Sequence, residues 1–210
     1  MIYKWINKIK RHTDSVRKMS VEGQRLLKQA ATFAKMGDFP WALNLLERSL
    51  DQFIGASPIE YASAAEAKTQ MALIHTKKGN NVFASECYTK SGDFYEKAKQ
   101  KRLAMASLCK AAYLCIEERA LWDALFLFER VSEYYVKVDA FKCSELSFDA
   151  CLCIIAMGQM SEIAEVFEIY CGRITDEEKL GVIKKLLETH ETRKPLVKQE
   201  WFSMVFNHLS

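Results

Sequence analysis

The chain has 210 residues, of which 50% are apolar, 27% charged and 11% aromatic, and its formal net charge is +3. A chain of this length and apolar content can bury the core of one domain, which excludes disorder over most of its length. Only eight glycines and three prolines occur, about half of their usual share of roughly 12%. This composition favours an all-α fold, and we predict a single domain over residues 1–210.

The N-terminal part of the chain is its most basic part. Residues 1–28 contain eight Lys or Arg and two acidic residues, whereas the remaining residues sum to a charge of −3. This charge suits an anionic membrane surface or an acidic protein patch, although a solvated helix face gives the same pattern. We assign residues 1–20 as a basic N-terminal segment. No motif of a known nucleic-acid reader occurs, so we expect no nucleic-acid partner.

No part of the sequence predicts a membrane span. The longest apolar run, residues 150–157, has eight residues, whereas a helix needs roughly 20 to cross a bilayer. The N-terminus also lacks the apolar core and cleavage site of a secretory signal. We therefore expect a cytoplasmic protein.

A repeat of four units runs over residues 24–172. Each unit has a turn seven positions after a small residue, and the four turn residues are Gly37, Gly79, Arg119 and Gly158. Five positions later lie Ala42, Ala84, Ala124 and Ile163. Small residues let antiparallel helices approach closely, so the pattern predicts a right-handed α-solenoid of tetratricopeptide-like helix hairpins, with about 10 to 11 helices. Because Arg119 and Ile163 depart from the pattern, we expect looser packing in the last pair.

Two sequence signals predict helix starts. Residues 57–60 form a capping box with Pro58 at the first helical position, and residues 175–178 form a second box. The second box opens the C-terminal part, residues 175–210, in which we predict two capping helices. They cover Thr175 to about His190 and Pro195 to Leu209.

No catalytic, metal-binding or cofactor-binding motif is found. The glycines are at least nine residues apart, which excludes the glycine-rich phosphate loops, and the four histidines form no metal-binding motif. The seven cysteines include Cys151 and Cys153 in a CxC motif but form no CxxC, and we interpret them as reduced, buried side chains. We therefore predict a protein that is not an enzyme and needs no cofactor or metal.

Apolar side chains define a candidate partner-binding groove on the first helix of each later repeat. A concave groove of this kind suits a helix or loop of a protein partner. The alternative is that tight closure of the repeats buries these side chains inside the protein. The candidate residues are Cys109, Tyr113, Ile116, Phe148, Leu152 and Ile155.

The chain resembles the 40-kilodalton huntingtin-associated proteins in several segments. They include YKWINKIKRH, VEGQRLL, DFPWAL, SPIEYASAAEAKTQMALI and GNNVFASECYTKSGDFYEKAK, with weaker likeness at KKLLETHE and EWFSMV. The resemblance implies a non-enzymatic helical partner that is held within huntingtin, stabilises it and links it to early endosomes and a Rab GTPase. A nuclear location is a further alternative. We place this resemblance ahead of the one described next, because the start of the chain and the spacing from Ala42 to Ala84 fit it better.

The chain also resembles the soluble NSF attachment proteins (SNAPs), through ASECYTKSGDFYEKAK, KAAYLCIEERALWDALFLFERV and KLGVIKKLLETHE. This resemblance implies an adaptor that binds SNARE complexes and the NSF ATPase in vesicle fusion. It places the lysines that contact the SNARE bundle at Lys68 and Lys110. It places acidic residues that engage the ATPase at Glu188 and Glu191.

Overall fold

The computed structural model describes residues 21–158, residues 163–192 and Val205. Within these residues the chain forms nine helices from residue 21 to Thr192 and no strand, which confirms the all-α, helical-hairpin class. The helices are α1 (residues 21–36), α2 (Phe39–Gly55), α3 (Tyr61–Lys77), α4 (Asn81–Lys97), α5 (Lys101–Glu117), α6 (Leu121–Tyr135), α7 (Ala140–Met157), α8 (Ala164–Arg173) and α9 (Glu177–Thr192). The predicted basic segment, residues 1–20, lies outside the described residues.

The chain divides into two compact units, Met1–Ala111 and Ala112–Ser210, with the boundary inside α5. The first unit contains the hairpins α1–α2 and α3–α4. The second unit contains α6 to α9 and the end of α5. The sequence predicts a single domain with three internal segments, and this organisation stays a prediction.

The first unit repeats one hydrogen bond at equivalent places in its two hairpins. The hydroxyl of Ser49 donates to the carbonyl of Gly23 at 2.8 Å, and the hydroxyl of Ser91 donates to the carbonyl of Ala65 at 3.0 Å. Both bonds span 26 residues and join the C-terminal half of the second helix to the N-terminal part of the first. All of these groups are buried, so each bond satisfies a serine that would otherwise be costly inside the core.

The four predicted turn residues share one backbone conformation. Gly37, Gly79 and Gly158 have positive φ angles of 83°, 70° and 70°, and Arg119 has a φ angle of 60°. The left-handed region is open to glycine at little cost and strained for a side chain. The repeat therefore keeps its turn geometry where it loses the glycine.

Lys99, between α4 and α5, also has a positive φ angle, of 61°. Replacement by glycine removes the strain of the left-handed side chain, so we expect Lys99→Gly to stabilise the protein by about 1 kcal/mol. The matched control is Lys90→Gly inside α4, which we expect to destabilise it by about 1 kcal/mol. Urea denaturation measures both values, and equal losses in the two variants would contradict this expectation.

The centre of the second unit is α7. Twelve of its residues are buried, between Cys143 and Ile155, and α6, α8 and α9 all pack against it. A helix that is apolar on nearly all sides requires neighbours on nearly all sides. The core of this unit is therefore built around a single helix.

The two predicted helix starts are displaced in the structure. The helix α3 begins at Tyr61 rather than at Pro58, because the backbone N–H of Glu60 donates to the carbonyl of Phe53 and folds residues 56–60 into a turn. The prediction for Pro58 is therefore wrong. At α9 the capping side chain is Asp176, whose carboxylate accepts from the N–H groups of residues 178 and 179 at 2.9 and 3.3 Å.

The fourth hairpin differs from the other three at its second helix. In the first three hairpins, the residue five positions after the turn is an alanine that is fully buried inside its helix. These residues are Ala42, Ala84 and Ala124. Ile163 instead lies at the N-cap of α8 and is half-buried, and α8 has only ten residues. Of the predicted last helix, residues 195–209, only Val205 is described, and it is helical and buried.

Candidate functional site

The lysine pair suggested by the sequence lies in the first unit, on α3 and α5. Lys110 is exposed, and its Nζ lies 5.5 Å from the centre of the ring of Tyr88 on α4. This cation–π contact steadies the ammonium group and leaves its charge available, because an aromatic ring carries no opposing charge. Lys110 is therefore a positioned cation at the surface.

Lys68 is half-buried, and its positive charge lowers the pKa of two neighbouring groups. Burial raises the pKa of Cys87 on α4, and the charge of Lys68 opposes this rise. Burial also lowers the pKa of His75, and the charges of Lys78 and Lys68 lower it further. Cys87 and Tyr88 are adjacent in α4, so the two lysines interact with neighbouring residues of one helix.

Four of the six predicted groove residues are buried. Ile116, Phe148, Leu152 and Ile155 are at most 6% exposed. Tyr113 is 36% exposed, and Cys109 is half-buried. The structure thus follows the alternative of internal burial for the four residues, and a role of the six in partner binding stays a prediction.

The helix α9 covers part of the predicted groove face on α7. Lys179 forms an ion pair with Glu145, and its Nζ lies 5.4 Å from the centre of the ring of Phe148. The backbone N–H of Thr175 donates to the hydroxyl of Ser144 at 3.0 Å and fixes the chain just before α9. A segment of the same chain therefore occupies a surface that the sequence assigns to a partner.

The second unit contains a buried carboxyl group, that of Asp149, which was not predicted from the sequence. The hydroxyl of Tyr113 donates to Oδ2 of Asp149 at 2.5 Å, and the Tyr113 ring packs edge-on against Phe128 at 5.6 Å. Burial raises the pKa of Asp149, and the hydrogen bond from Tyr113 partly opposes this rise. The charge of Glu145 also raises this pKa. The one available signal was an acid directly before the apolar run of residues 150–157.

Exposed aromatic side chains stand near the start of the second helix of each of the first three hairpins. Trp41, Phe83 and Trp122 are 47%, 58% and 53% exposed. In the first unit, Trp41 packs edge-on against Phe33, and Phe83 stacks on His75 at 5.6 Å. Trp41 and Phe83 lie four positions after their turn residues and Trp122 lies three positions after its own, so an alignment of the repeats could have revealed them.

No group of side chains in the described part of the chain could hold a metal ion. All seven cysteines carry thiols. Five of them are buried, as expected, whereas Cys109 and Cys171 are half-buried. Among the helices that the structure describes, none combines the length and the apolar character of a membrane span.

A family model described as soluble NSF attachment protein, SNAP, matches residues 11–195. The chain belongs to the SNAP family. No curated protein matches it. The SNAP match covers all nine described helices, together with Lys68 and Lys110.

Membership of the SNAP family favours the second of the two resemblances. It supports an adaptor scaffold of the SNAP kind, which the sequence analysis placed second. The more specific identity as a huntingtin-associated protein is not confirmed, and neither are the early endosome and the nucleus as locations.

The two acids suggested by SNAP resemblance both belong to α9. Glu188 is exposed near the C-terminal end of the helix. Glu191 lies within the bounds of α9, and its side chain is outside the described residues. The helix that covers α7 thus also carries the proposed ATPase contacts.

Proposed function

We propose that the protein is a non-enzymatic adaptor that attaches the NSF ATPase to SNARE complexes. The family match over residues 11–195 carries this proposal. The second support is the charged surface of the first unit, where Lys110 is held over Tyr88. In this proposal the adaptor works in the cytoplasm, and residues 1–28 contact the anionic membrane that holds the SNAREs.

The lysine surface is suited to an acidic helical bundle. Lys110 is exposed and Lys68 is half-buried, so both can approach an acidic side chain without unfolding the hairpins. Charges at the rim of an interface steer the partners together and select partners of opposite charge. We therefore assign SNARE contact to Lys68 and Lys110, with Cys109 and the exposed edge of Tyr113 as further contact residues.

The acidic end of α9 is the proposed contact for the ATPase. Glu188 is exposed there, and Glu191 follows three positions later, which puts the two on neighbouring positions of one helix. The residues that contact the two partners are therefore far apart in the sequence. The lysines belong to the first unit, and the acids belong to the second.

The charge reversal Lys68→Glu with Lys110→Glu tests SNARE contact. We expect the double variant to bind a purified four-helix SNARE bundle about tenfold more weakly, because two attractive contacts become repulsive. Binding of the original protein should weaken as salt rises, since exposed charges are screened within about 10 Å at 0.1 M salt. Titration at two salt concentrations measures both effects.

The matched control is Lys101→Glu, which reverses an exposed charge at the start of the same helix α5. An acidic residue is favourable at a helix N-terminus, so this variant should fold and bind the bundle normally. Equal binding of the double variant and the control would contradict SNARE contact through Lys68 and Lys110.

A further inference from the structure

The cysteines of the CxC motif point away from each other in the structure. Cys151 and Cys153 are two positions apart in α7, and side chains at this spacing lie on different sides of a helix. The sulfur of Cys151 instead lies 3.8 Å from the sulfur of Cys171 on α8. The close pair therefore joins two helices that are separated in sequence.

The two cysteines of this pair differ in solvent exposure and in acidity. Cys151 is completely buried, whereas Cys171 is half-buried. The hydrogen bond between the two sulfurs lowers the pKa of Cys171 against the opposing effects of burial and Glu168. Because the thiolate is the reactive form of cysteine, the more accessible sulfur is also the better nucleophile.

We propose that Cys151 and Cys171 are a redox-active pair that hydrogen peroxide oxidises to a disulfide between α7 and α8. This site goes beyond the proposed adaptor function and does not depend on it. The sulfurs must close from 3.8 Å to about 2.05 Å. We expect side-chain rotation to supply this movement while the two helices keep their places.

The chemistry proceeds in two balanced steps. The thiolate of Cys171 attacks one peroxide oxygen, so that a sulfur–oxygen bond forms, the oxygen–oxygen bond breaks and the leaving hydroxide takes a proton to become water. The sulfur of Cys151 then attacks the sulfenic acid, the sulfur–sulfur bond forms, and the hydroxyl leaves with the thiol proton as a second water. The two thiols lose two electrons, which the peroxide accepts.

The disulfide would tie the short helix α8 to the central helix α7. It would close a loop between residues 151 and 171, and cross-links of this kind stabilise a protein mainly by restricting its unfolded chain. Oxidation should therefore raise the Tm of the protein. A dithiol reductant should return the Tm to its starting value.

The test uses the reduced full chain and hydrogen peroxide. We expect the number of reactive thiols in the denatured protein to fall from seven to five, and peptide mapping to find Cys151 linked to Cys171. In Cys151→Ser, Cys171 should stop at a sulfenic acid that a carbon nucleophile such as dimedone traps. The matched control is Cys109→Ser, which removes the other half-buried thiol and should leave the disulfide intact.

Three results would overturn this inference. They are seven thiols remaining after treatment that oxidises a small-molecule thiol, a mapped disulfide between other cysteines, and equal disulfide yields in Cys171→Ser and the original chain. The circular dichroism spectrum and the Tm of each reduced variant establish that it is folded. A variant that does not fold is replaced by the corresponding alanine variant, and mapping of the original chain decides in either case.

Discussion

Gly92→Ala is expected to destabilise the protein by roughly 3 kcal/mol, because α4 and α5 meet at this glycine without space for a side chain. A methyl group there would lie 2.6 Å from Cδ2 and 2.7 Å from Cγ of Leu108, and 3.4 Å from the backbone oxygen of Ala104. Leu108 is fully buried, so it cannot move aside without disturbing its own neighbours. The cost of overpacking therefore exceeds the gain in helix propensity.

The same substitution at Gly181 is the matched control. Gly181 lies inside α9, and an added methyl group meets no heavy atom within 4 Å. Gly181→Ala should therefore stabilise the protein by about 1 kcal/mol through helix propensity alone. Urea denaturation of the two variants measures the contrast, and a stabilised Gly92→Ala variant would contradict the close approach of α4 and α5.

The turns and the close helix contacts were predictable because each depends on a single local residue type. Gly37 and Gly79 mark turns that need a positive φ angle, and Ala42 and Ala84 mark positions where two helices touch. The start of α3 was not predictable in this way. The signal at Pro58 is also local, but the hydrogen bond from Glu60 back to Phe53 outweighs it.

The candidate site was harder to predict because it depends on which helix covers which face. The spacing of Phe148 and Leu152 correctly marks one side of α7, yet it carries no information about the segment that lies on that side. The ion pair of Lys179 with Glu145 is one of the contacts that bring α9 to α7. The Cys151–Cys171 contact likewise joins two helices and leaves no trace in local spacing.

The exposed and buried charges of the two units have different consequences. Lys110 is exposed and held over an aromatic ring, so its reversal should change binding with little effect on stability. Asp149 is buried and depends on one hydroxyl, so loss of that hydroxyl should change stability. Tyr113 supplies this hydroxyl and also retains exposed surface, which makes it the residue where folding and binding can be confused.

Tyr113→Phe is expected to destabilise the protein by roughly 3 kcal/mol at neutral pH, since it leaves a buried carboxylate without its donor. The bond of 2.5 Å from the hydroxyl to Oδ2 of Asp149 is short, as expected when the acceptor is charged. The matched control is Tyr134→Phe, which removes a hydroxyl from α6. Denaturation of both variants in urea measures the difference.

The size of the Tyr113→Phe effect should depend on pH. Burial raises the folded-state pKa of Asp149, and loss of the hydrogen bond from Tyr113 raises it further. For a carboxyl with a raised pKa, the stability gained from protonation is fully present below the unfolded-state pKa of about 3.9 and is lost as pH rises through the folded-state pKa. The variant has the higher folded-state pKa, so its deficit should be smallest in acid and should grow toward neutral pH.

The substitution Asp149→Asn separates this charge effect from the pH-independent effect of losing the Tyr113 hydroxyl. An amide has no carboxyl to titrate, so Tyr113→Phe should give a deficit that does not change with pH when it is introduced into Asp149→Asn. The measurement is the free energy of unfolding of the four proteins of this cycle between acidic and neutral pH. A deficit for Tyr113→Phe that is equally large at every pH in both backgrounds would show that the lost stability does not come from the charge of the Asp149 carboxylate.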